Sequence, residues 1–326
     1  MVAPSADTTA GPGTSARATR VAVTGAGGFL GRRVVAQLAR TGYSVRALYH
    51  RRGPDGTADV EPVRGSLADA EALDRLVAGC DAVIHLAGLV AADRPGRFDA
   101  VNHAGTVRLA ERAAAARVGR FLFVSSLAAR HPALSPYAAS KRAGERALTG
   151  RMDLPVDVLR PPAVYGPGDP QILMFLRLLR LRIAPLPGPP TARVCLIHAD
   201  DAASAIAAWL AGPGASGAIY EIADDRPDGY SWRELMEIAA CACGVRPWYL
   251  RLGRPALIPL GALGEGVARL TGRAAPLSRG KVRELTHPDW RTDWTAFGRR
   301  TGWGPTVELR AGLTRTVDWY RAHGWL

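Results

Sequence analysis

The sequence predicts an α/β protein with a doubly wound parallel sheet and a smaller, mostly helical C-terminal lobe. Three observations carry this prediction. A glycine-rich turn joins a short β-branched run to an amphipathic helix near the N-terminus. Apolar runs then alternate with helical patterns as far as about residue 222. Beyond that point the periodicity is mainly helical, which indicates a separate lobe.

Composition narrows the class of protein. The 326 residues are 48% hydrophobic, which is ample apolar material for a large core. A formal charge of +13 favours anionic ligands or surfaces, but no run of five basic residues occurs, so nucleic-acid binding is not predicted. The four cysteines form no CxxC pair and no metal-ligand spacing, so we expect reduced thiols, no metal site and a cytoplasmic location. They are Cys80, Cys195, Cys241 and Cys243.

Two segments bear on targeting and membranes. Residues 1–18 are small, polar and rich in Pro and Gly, which predicts a disordered tail and no secretory signal. No stretch reaches about 18 consecutive apolar residues, so no membrane-spanning helix is expected. The nearest approach is 254–270, which prolines, glycines and Glu265 interrupt. We interpret it as part of a substrate lobe or as a segment that touches a surface.

The first ordered segment has the pattern strand, glycine-rich turn, helix, strand. The strands are predicted at 21–23 and 44–49, and between them Gly25, Gly28 and Gly31 follow a Gly-x-x-Gly-x-x-Gly spacing. Such glycines permit a tight turn, approach of a diphosphate to the backbone, and close packing of helix on strand. The helix N-terminus would offer free N–H groups to the phosphates. The segment therefore predicts a dinucleotide-binding Rossmann domain.

The end of the second strand indicates which dinucleotide is preferred. An NAD site usually has a carboxylate there for the ribose 2′-hydroxyl, but this chain has Tyr49, followed by Arg51 and Arg52. Guanidinium groups attract a 2′-phosphate, so NADP is favoured over NAD. The alternative is that both arginines are surface loop residues.

Further strands complete the predicted sheet. Each is a short apolar run, and each is separated from the next by a helical pattern, which predicts parallel strands with helices on both faces. These runs lie in 60–69, 81–88, 120–126, 156–165 and 217–225.

A tyrosine and a lysine share a predicted helix start in the middle of the chain. Ser135 is a candidate cap and Pro136 suits the first turn. The i,i+4 spacing then places Tyr137 and Lys141 on one face, just downstream of Ser126. A phenol with a pKa of about 10 is a poor base at neutral pH, and we expect the neighbouring ammonium to lower that pKa.

These motifs occur in an order that resembles the extended branch of the short-chain dehydrogenase/reductase superfamily, the NAD-dependent epimerase/dehydratase family. The resemblance rests on 25–31, on Ser126, on Tyr137-x-x-x-Lys141 and on "RPPAVYGP" at 160–167, and it continues along most of the chain. It is closest to the 3β-hydroxysteroid dehydrogenase and dihydroflavonol reductase branch.

The resemblance implies roles for the central residues. Tyr137 would be the general acid/base, Lys141 would tune it and bind the nicotinamide ribose, and Ser126 would bond the reacting oxygen. The reaction would be hydride transfer between nicotinamide C4 and a carbinol or carbonyl carbon. His85 is expected to be structural. Asn102 is left open between a structural or proton-relay role and satisfying helix backbone groups.

The resemblance also implies further cofactor contacts. Ser66 stands where the family usually has an acidic residue near the adenine, which weakens that assignment. Arg193 lies near the position of a diphosphate-binding residue but does not align with it. Besides the three glycines and the residues already named, the implied contacts are Phe29, Leu30, Ser66, Leu67, Leu86, Ala87, Gly88, Pro162 and Val164.

The predicted division of the chain follows from these assignments. After the tail, a Rossmann domain spans 19–165 and is completed by 191–222, and a substrate lobe comprises 166–190 and 223–326. Apolar residues around 172–186 and 254–263 favour a hydrophobic or carrier-bound substrate. The Thr-Asp-Glu of the dehydratases is absent after the fifth strand.

Three hypotheses remain at this point. The first is an NAD(P)-dependent oxidoreductase acting on a small-molecule carbonyl or alcohol. The second is a nucleotide-sugar epimerase or dehydratase that transfers hydride transiently. The third is a non-catalytic assembly protein that retains dinucleotide binding, which the presence of Ser126, Tyr137 and Lys141 argues against. A homodimer is left open.

Overall fold

The structure, a computed structural model, describes residues 19–50, 53, 60–151, 153–275 and 277–326. The predicted tail at 1–18 lies outside the described residues, as do Arg51 and Arg52.

Strands and helices alternate along much of the first 222 residues, and helices dominate after that point, as the sequence predicts. The strands are β1 (Arg20–Thr24), β2 (Ser44–Tyr49), β3 (Val60–Arg64), β4 (Ala82–His85), β5 (Arg120–Val124), β6 (Val156–Arg160), β7 (Ala163–Tyr165), β8 (Ile183–Pro187), β9 (Leu196–His198), β10 (Ile219–Glu221) and β11 (Trp248–Leu252). The helices are α1 (Phe29–Arg40), α2 (Ala70–Val77), α3 (Pro95–Phe98), α4 (Gly105–Ala115), α5 (Pro136–Leu148), α6 (Pro170–Arg180), α7 (Ala199–Ala211), α8 (Trp232–Cys243), α9 (Arg254–Thr271), α10 (Arg279–Leu285), α11 (Thr295–Thr301) and α12 (Leu309–Ala322).

The central sheet confirms the predicted fold class. Within the described residues it has seven strands in the order β10-β6-β5-β4-β1-β2-β3, and every neighbouring pair is parallel. The chain runs outward from β1 through β2 and β3 and then crosses to β4 on the other side of β1. Such a reversal opens a crevice at the carboxyl ends of β1 and β4, where doubly wound folds bind ligands.

Apolar side chains cover both faces of the sheet. On one face, Leu38 of α1 and Trp209 of α7 pack against it, and on the other Leu73 of α2 and Leu109 of α4 do so. All four side chains are almost completely buried. Because both faces are covered, the strands read as continuous apolar runs rather than as alternating ones.

A third apolar cluster lies among the elements that the sequence assigns to the substrate lobe. It joins Leu176 of α6, Leu186 of β8, Met236 of α8, and Leu313 and Tyr320 of α12. Helix α8 begins with a capping box between Ser231 and Glu234 at its N-terminus. The division into two lobes stays a prediction.

The proline-rich segment after α6 forms a strand rather than a loop. β8 pairs in parallel with β11, with Pro185 opposite Leu250 and Pro187 opposite Leu252. In a parallel pair only alternate residues point their N–H groups toward the partner. Two prolines that are two positions apart are therefore tolerated in a two-stranded sheet if their backbone nitrogens both point away from the partner strand.

Helix α9 also differs from the sequence-based expectation, because it is continuous although Pro259 lies inside it. Its glycines allow close packing rather than ending the helix. A Cβ at Gly261 would lie 2.8 Å from the backbone nitrogen of Arg279, and a Cβ at Gly264 would overlap the carbonyl oxygen of Leu277. Tertiary packing of this kind outweighs low helix propensity.

Candidate active site

A cavity of about 570 Å³ lies at the carboxyl ends of the central strands. It begins at the turn after β1, passes the ends of β4 and β5, and reaches the start of α5. Most of the predicted site residues line it: Gly25, Gly28, Phe29, Leu30, Gly31, Leu86, Gly88, Ser126, Tyr137, Lys141, Pro162 and Val164.

Among the described residues, three predicted cofactor contacts do not line this cavity. Ser66 caps its own turn, where its hydroxyl accepts a hydrogen bond from the backbone N–H of Ala68. Leu67 is buried beneath α4. Ala87 donates its backbone N–H to the Thr24 hydroxyl. A contact of these residues with the cofactor stays a prediction.

The glycine-rich turn has the geometry that a dinucleotide requires. Gly25 has φ +73°, and a Cβ there would lie 2.6 Å from the backbone nitrogen of Ala87. A Cβ at Gly31 would overlap the carbonyl oxygen of Gly25. Gly28, the N-cap of α1, provides no side chain to bond the first-turn N–H groups, which leaves them for an anion. The turn therefore fits a dinucleotide diphosphate.

Lys141 is held beneath the cavity. Its side chain is 4% exposed, and its Nζ donates a hydrogen bond of 2.8 Å to the carbonyl oxygen of Val124 at the end of β5. Burial lowers the pKa of Lys141 to about 8, although the carboxylate of Glu145 opposes this shift. A Cβ at Gly88 would lie 3.5 Å from this Nζ, so the glycine leaves space directly beside the ammonium.

The expected acidification of Tyr137 is not found in this structure. Burial raises the pKa of Tyr137 to about 12, a hydrogen bond with Ser126 lowers it, and the carboxylate of Glu284 raises it. The Lys141 ammonium does not contribute to this shift, and it donates its hydrogen bond to the Val124 carbonyl. The phenol is therefore protonated at neutral pH, and a protonated phenol beside a hydroxyl is suited to donating a proton.

A buried ionic network that the sequence reasoning missed supports the face of α5 that carries Lys141. Glu145 is completely buried and accepts hydrogen bonds of 2.6 and 2.8 Å from Arg160 and 2.7 Å from the Ser125 hydroxyl. These bonds fix the end of β5 and the end of β6 to α5. Sequence reasoning had no local signal for this network, because Glu145 and Arg160 are 15 positions apart.

Asn102 ties the loop after β4 to the helix that carries the tyrosine. Its side-chain oxygen accepts a 2.7 Å bond from the Leu89 N–H, and its amide donates to the Leu89 carbonyl and to the Ser140 hydroxyl at 2.9 and 3.0 Å. It is completely buried, in a π-helical turn at Asp99–Ala104. These contacts are structural, which is one of the roles that the sequence left open for Asn102.

His85 has the structural role that we expected. Its two ring nitrogens bond the hydroxyls of Thr24 and Thr106 at 2.6 and 2.8 Å. Burial, reinforced by the Lys141 ammonium, lowers its pKa to about 3, so the ring is neutral. Arg193 is exposed, pairs with Glu234 at 3.4 Å and is not among the residues that line the cavity.

The opposite wall of the cavity comes from sequence-distant segments. Trp232 and Leu235 of α8, Leu285 of α10 and Trp290 provide its apolar surface. Trp290 is oriented by a 2.9 Å bond from its indole N–H to the Glu284 carbonyl oxygen. Sequence reasoning missed these residues because no local motif joins them.

A charged pair links this wall to the start of α5. Lys281 Nζ lies 3.3 Å from a carboxylate oxygen of Glu284, whose other oxygen accepts a hydrogen bond from Ser135. Ser135 in turn accepts a 2.9 Å bond from the Ala138 N–H, which confirms it as the cap of α5. The position of Tyr137, two residues after the cap, is thus tied to α10.

A second cavity of about 300 Å³ adjoins the first. Both are lined by Val90, Tyr137, Gln171, Lys281 and Glu284. The second cavity leads away from the glycine-rich turn toward α9, and three residues of that helix are among those that line it. These are Glu265, Ala268 and Arg269. Tyr137 therefore stands where the two spaces meet.

The fold and the arrangement of Ser126, Tyr137 and Lys141 define an extended short-chain dehydrogenase/reductase. The model of the NAD dependent epimerase/dehydratase family matches residues 21–223, and the chain belongs to this family. The resemblance to this family that was stated from the sequence is confirmed. The protein is an NAD(P)-dependent oxidoreductase, and no helix in the described part of the chain could cross a membrane.

Named relatives extend this comparison. The chain is 43% identical over 311 residues to the ceramide reductase of Caulobacter vibrioides, covering 94% of this chain and 96% of the relative. It is 30% identical to the 2-alkyl-3-oxoalkanoate reductase of Stenotrophomonas maltophilia, covering 91% and 98%. Among solved structures, the dTDP-glucose 4,6-dehydratase DesIV of Streptomyces venezuelae, with NAD bound, superposes with a TM-score of 0.72 at 26% identity, covering 94% and 98%.

Proposed function

We propose that this protein reduces the ketone of a long-chain lipid, of the ceramide or alkyl-oxoalkanoate type, with NADPH as the reductant. The observation that carries the proposal is the single cavity that joins the glycine-rich turn to Tyr137 and then to an apolar wall. The two reductases named above support the choice of a lipid ketone, because both share almost the full length of this chain.

The dinucleotide supplies the hydride when it is bound. Ser126 would donate a hydrogen bond to the substrate oxygen, and Tyr137 would transfer its phenolic proton to that oxygen as the carbon accepts the hydride. The carbonyl group thereby becomes a carbinol, because its carbon gains the hydride and its oxygen gains the proton. Lys141, whose Nζ is held by the Val124 carbonyl, would bind the ribose. Its positive charge would stabilise the phenolate that the proton transfer leaves on Tyr137.

Tyr137 is in the protonation state from which carbonyl reduction begins. In reduction the phenol must begin protonated, and a pKa of about 12 ensures this throughout the neutral range. Alcohol oxidation would require the phenolate, which burial disfavours here.

The preference for NADPH rests on the end of β2. Tyr49 is the last residue of that strand and is buried, and it carries no carboxylate that would repel a 2′-phosphate. Arg51 and Arg52 follow it in the sequence, outside the described residues. We propose that one or both bind the 2′-phosphate.

Nucleotide-sugar dehydration is the second candidate, favoured by the likeness to DesIV. The segment after β5 argues against it. Leu127, Ala128 and Ala129 follow Ser126 in a buried 3-10 turn and provide no carboxylate for proton abstraction. The lipid ketone is therefore the better supported substrate.

The test is to incubate the protein with NADPH and either a long-chain 3-oxo lipid in detergent, dTDP-glucose or UDP-glucose, and to follow both dihydronicotinamide absorbance and product mass. We expect one NADPH oxidised per lipid alcohol formed and no change in either sugar nucleotide. Conversion of a sugar nucleotide without net NADPH oxidation would overturn the proposal.

A further inference from the structure

Helix α9 exposes an apolar stripe to solvent. Leu260, Leu263, Val267 and Leu270 follow an i, i+3, i+7, i+10 spacing, which places them on one face of the helix. They are 54%, 66%, 51% and 89% exposed, respectively. A surface helix of a globular protein normally turns such a stripe toward the core, so this arrangement is the reverse of the usual one.

The opposite face of α9 is anchored, which prevents the stripe from turning inward. Leu257, Gly261 and Ala268 are buried there. Glu265 fixes the helix further, because it pairs with Arg279 of α10 at 2.8 Å and accepts a bond from the backbone N–H of that same residue. The exposed face is thus a fixed feature of the fold.

The surrounding sequence is strongly basic. Between residues 237 and 284 there are eight Lys or Arg and three Glu, so these 48 residues carry 8 − 3 = +5 of the formal charge of +13. Two of the three carboxylates are paired within this segment, Glu265 with Arg279 and Glu284 with Lys281. Such a surface is complementary to an anionic partner. Two copies of this face would bring like charges together, which disfavours self-association.

The strand that leads into α9 adds an interfacial aromatic residue. Trp248, the first residue of β11, is 82% exposed, and Leu250 on the same strand is 49% exposed. Tryptophan is enriched at membrane–water interfaces, where its ring is partly in the apolar layer.

We propose that α9 lies on an anionic lipid bilayer, with Leu260, Leu263, Val267 and Leu270 in the boundary between headgroups and acyl chains. An apolar stripe with exposed arginines beside it, here Arg254, Arg269 and Arg273, is the pattern of an interfacial helix, which lies in the membrane plane without spanning it. Anionic headgroups would attract the basic residues that surround the stripe.

The position of the second cavity links the proposed membrane contact of α9 to Tyr137. Ala268 and Arg269 of α9 line that cavity, and Tyr137 lies at its other end. A lipid could therefore pass from the membrane to Tyr137 alongside α9. This consequence rests on the proposed function, whereas the membrane contact itself does not.

The test is flotation with vesicles in the absence of cofactor and substrate, so that its outcome does not depend on the reaction. The vesicles are phosphatidylcholine alone or a mixture of phosphatidylglycerol and phosphatidylcholine. We expect the protein to float with the mixed vesicles, to float much less with neutral ones, and to be released by high salt.

Leu263→Glu and Leu270→Glu are the variants. Both positions are exposed and neither lines a cavity, so the folded state should be retained, which thermal unfolding checks. Each should weaken vesicle binding about tenfold or more, because it replaces an apolar group in the boundary layer with a charge. Ile219→Glu, on edge strand β10 and 39% exposed, is the matched control and should bind as the unchanged protein does.

Three outcomes would overturn the proposal. The first is absence of flotation with the anionic vesicles. The second is equal loss of binding in Ile219→Glu and Leu270→Glu. The third is an unchanged protein that is dimeric without lipid and a Leu270→Glu variant that is monomeric, since the stripe would then be an interface between copies.

Discussion

On the glycine-rich side of the cavity, the turn after β1 presents backbone N–H groups and space, whereas on the opposite side Trp232, Leu235 and Trp290 present large side chains. The first side is encoded by a few consecutive residues, Gly25 to Gly31. The second combines α8, α10 and the segment after α10, which are far apart in the sequence.

The two sides also differ in how their charges are held. Beneath the first side, Lys141 and Glu145 are buried and fully engaged with backbone and with Arg160. On the second side, the Lys281–Glu284 pair is at the cavity wall and partly exposed. We infer that the first side fixes the chemistry and that the second selects the substrate. The predictions below separate these two functions.

The largest effect is expected at the junction of the two sides. Tyr137→Phe removes the proposed proton donor and leaves the ring, so single-turnover reduction should slow by about 10²–10⁴-fold while NADPH affinity is retained. Stopped-flow absorbance and a cofactor titration measure the two quantities. Tyr43→Phe, which removes a hydroxyl outside both cavities, should react at the normal rate. A Tyr137→Phe variant with near-normal turnover would remove the proposed acid from the mechanism.

Glu145→Gln tests the support beneath the first side. Loss of one partner of a buried ion pair leaves Arg160 uncompensated, and the free energy of unfolding should fall by about 3–5 kcal/mol. Denaturant unfolding measures this fall, with Glu111→Gln on the exposed face of α4 as the control. A fall in the free energy of unfolding no larger than that of Glu111→Gln would show that the network contributes little.

The same residue gives a pH dependence. Burial raises the pKa of Glu145, but hydrogen bonds from Arg160 and Ser125 outweigh it, and the folded-state pKa lies below the ordinary value of 4.5. The unfolded state therefore binds the proton first as the pH falls, so this stabilisation is present above pH 4.5 and is lost below it. The stability difference between the unchanged protein and Glu145→Gln should narrow in that acidic range, and a difference that stays constant would contradict the assignment.

Replacement of Arg51 and Arg52 together by Ala tests the cofactor preference of the first side. NADPH binding should weaken by about 1.5–3 kcal/mol for each charge-assisted hydrogen bond that the substitution removes, with little effect on NADH. Fluorescence titration of both dinucleotides measures the change. Tighter binding of NADH than of NADPH by the unchanged protein would refute the preference.

The smallest effect is expected on the second side. Trp232→Leu removes part of the apolar wall, and Trp232 stacks on Phe175 rather than on any residue of the glycine-rich turn. The KM for a long-chain ketone should rise about 5- to 10-fold, with unchanged NADPH affinity. Steady-state kinetics with each substrate varied gives both values. If NADPH affinity changed equally, the two sides would not be separable.

The sequence predicted the first side almost residue by residue, because a strand, a turn and a helix that are adjacent in the chain form it. It also predicted the cap at Ser135 and the helix that places Tyr137 beside Lys141. It did not predict the raised pKa of Tyr137, since that depends on burial and on Glu284, 147 positions further along the chain. The strand β8 and the continuous helix α9 were missed because pairing and close glycine contacts outweigh local propensity.

The central claim is that hydride from NADPH reaches a lipid ketone beside Tyr137. The direct measurement is a single turnover with NADPH deuterated at the transferring C4 position and a long-chain 3-oxo lipid, with mass analysis of the product. We predict one deuterium at the carbinol carbon of the lipid alcohol for each NADPH oxidised, and at most about 1% of that rate with Tyr137→Phe. An alcohol without deuterium, or no lipid product while a sugar nucleotide is converted, would contradict the claim.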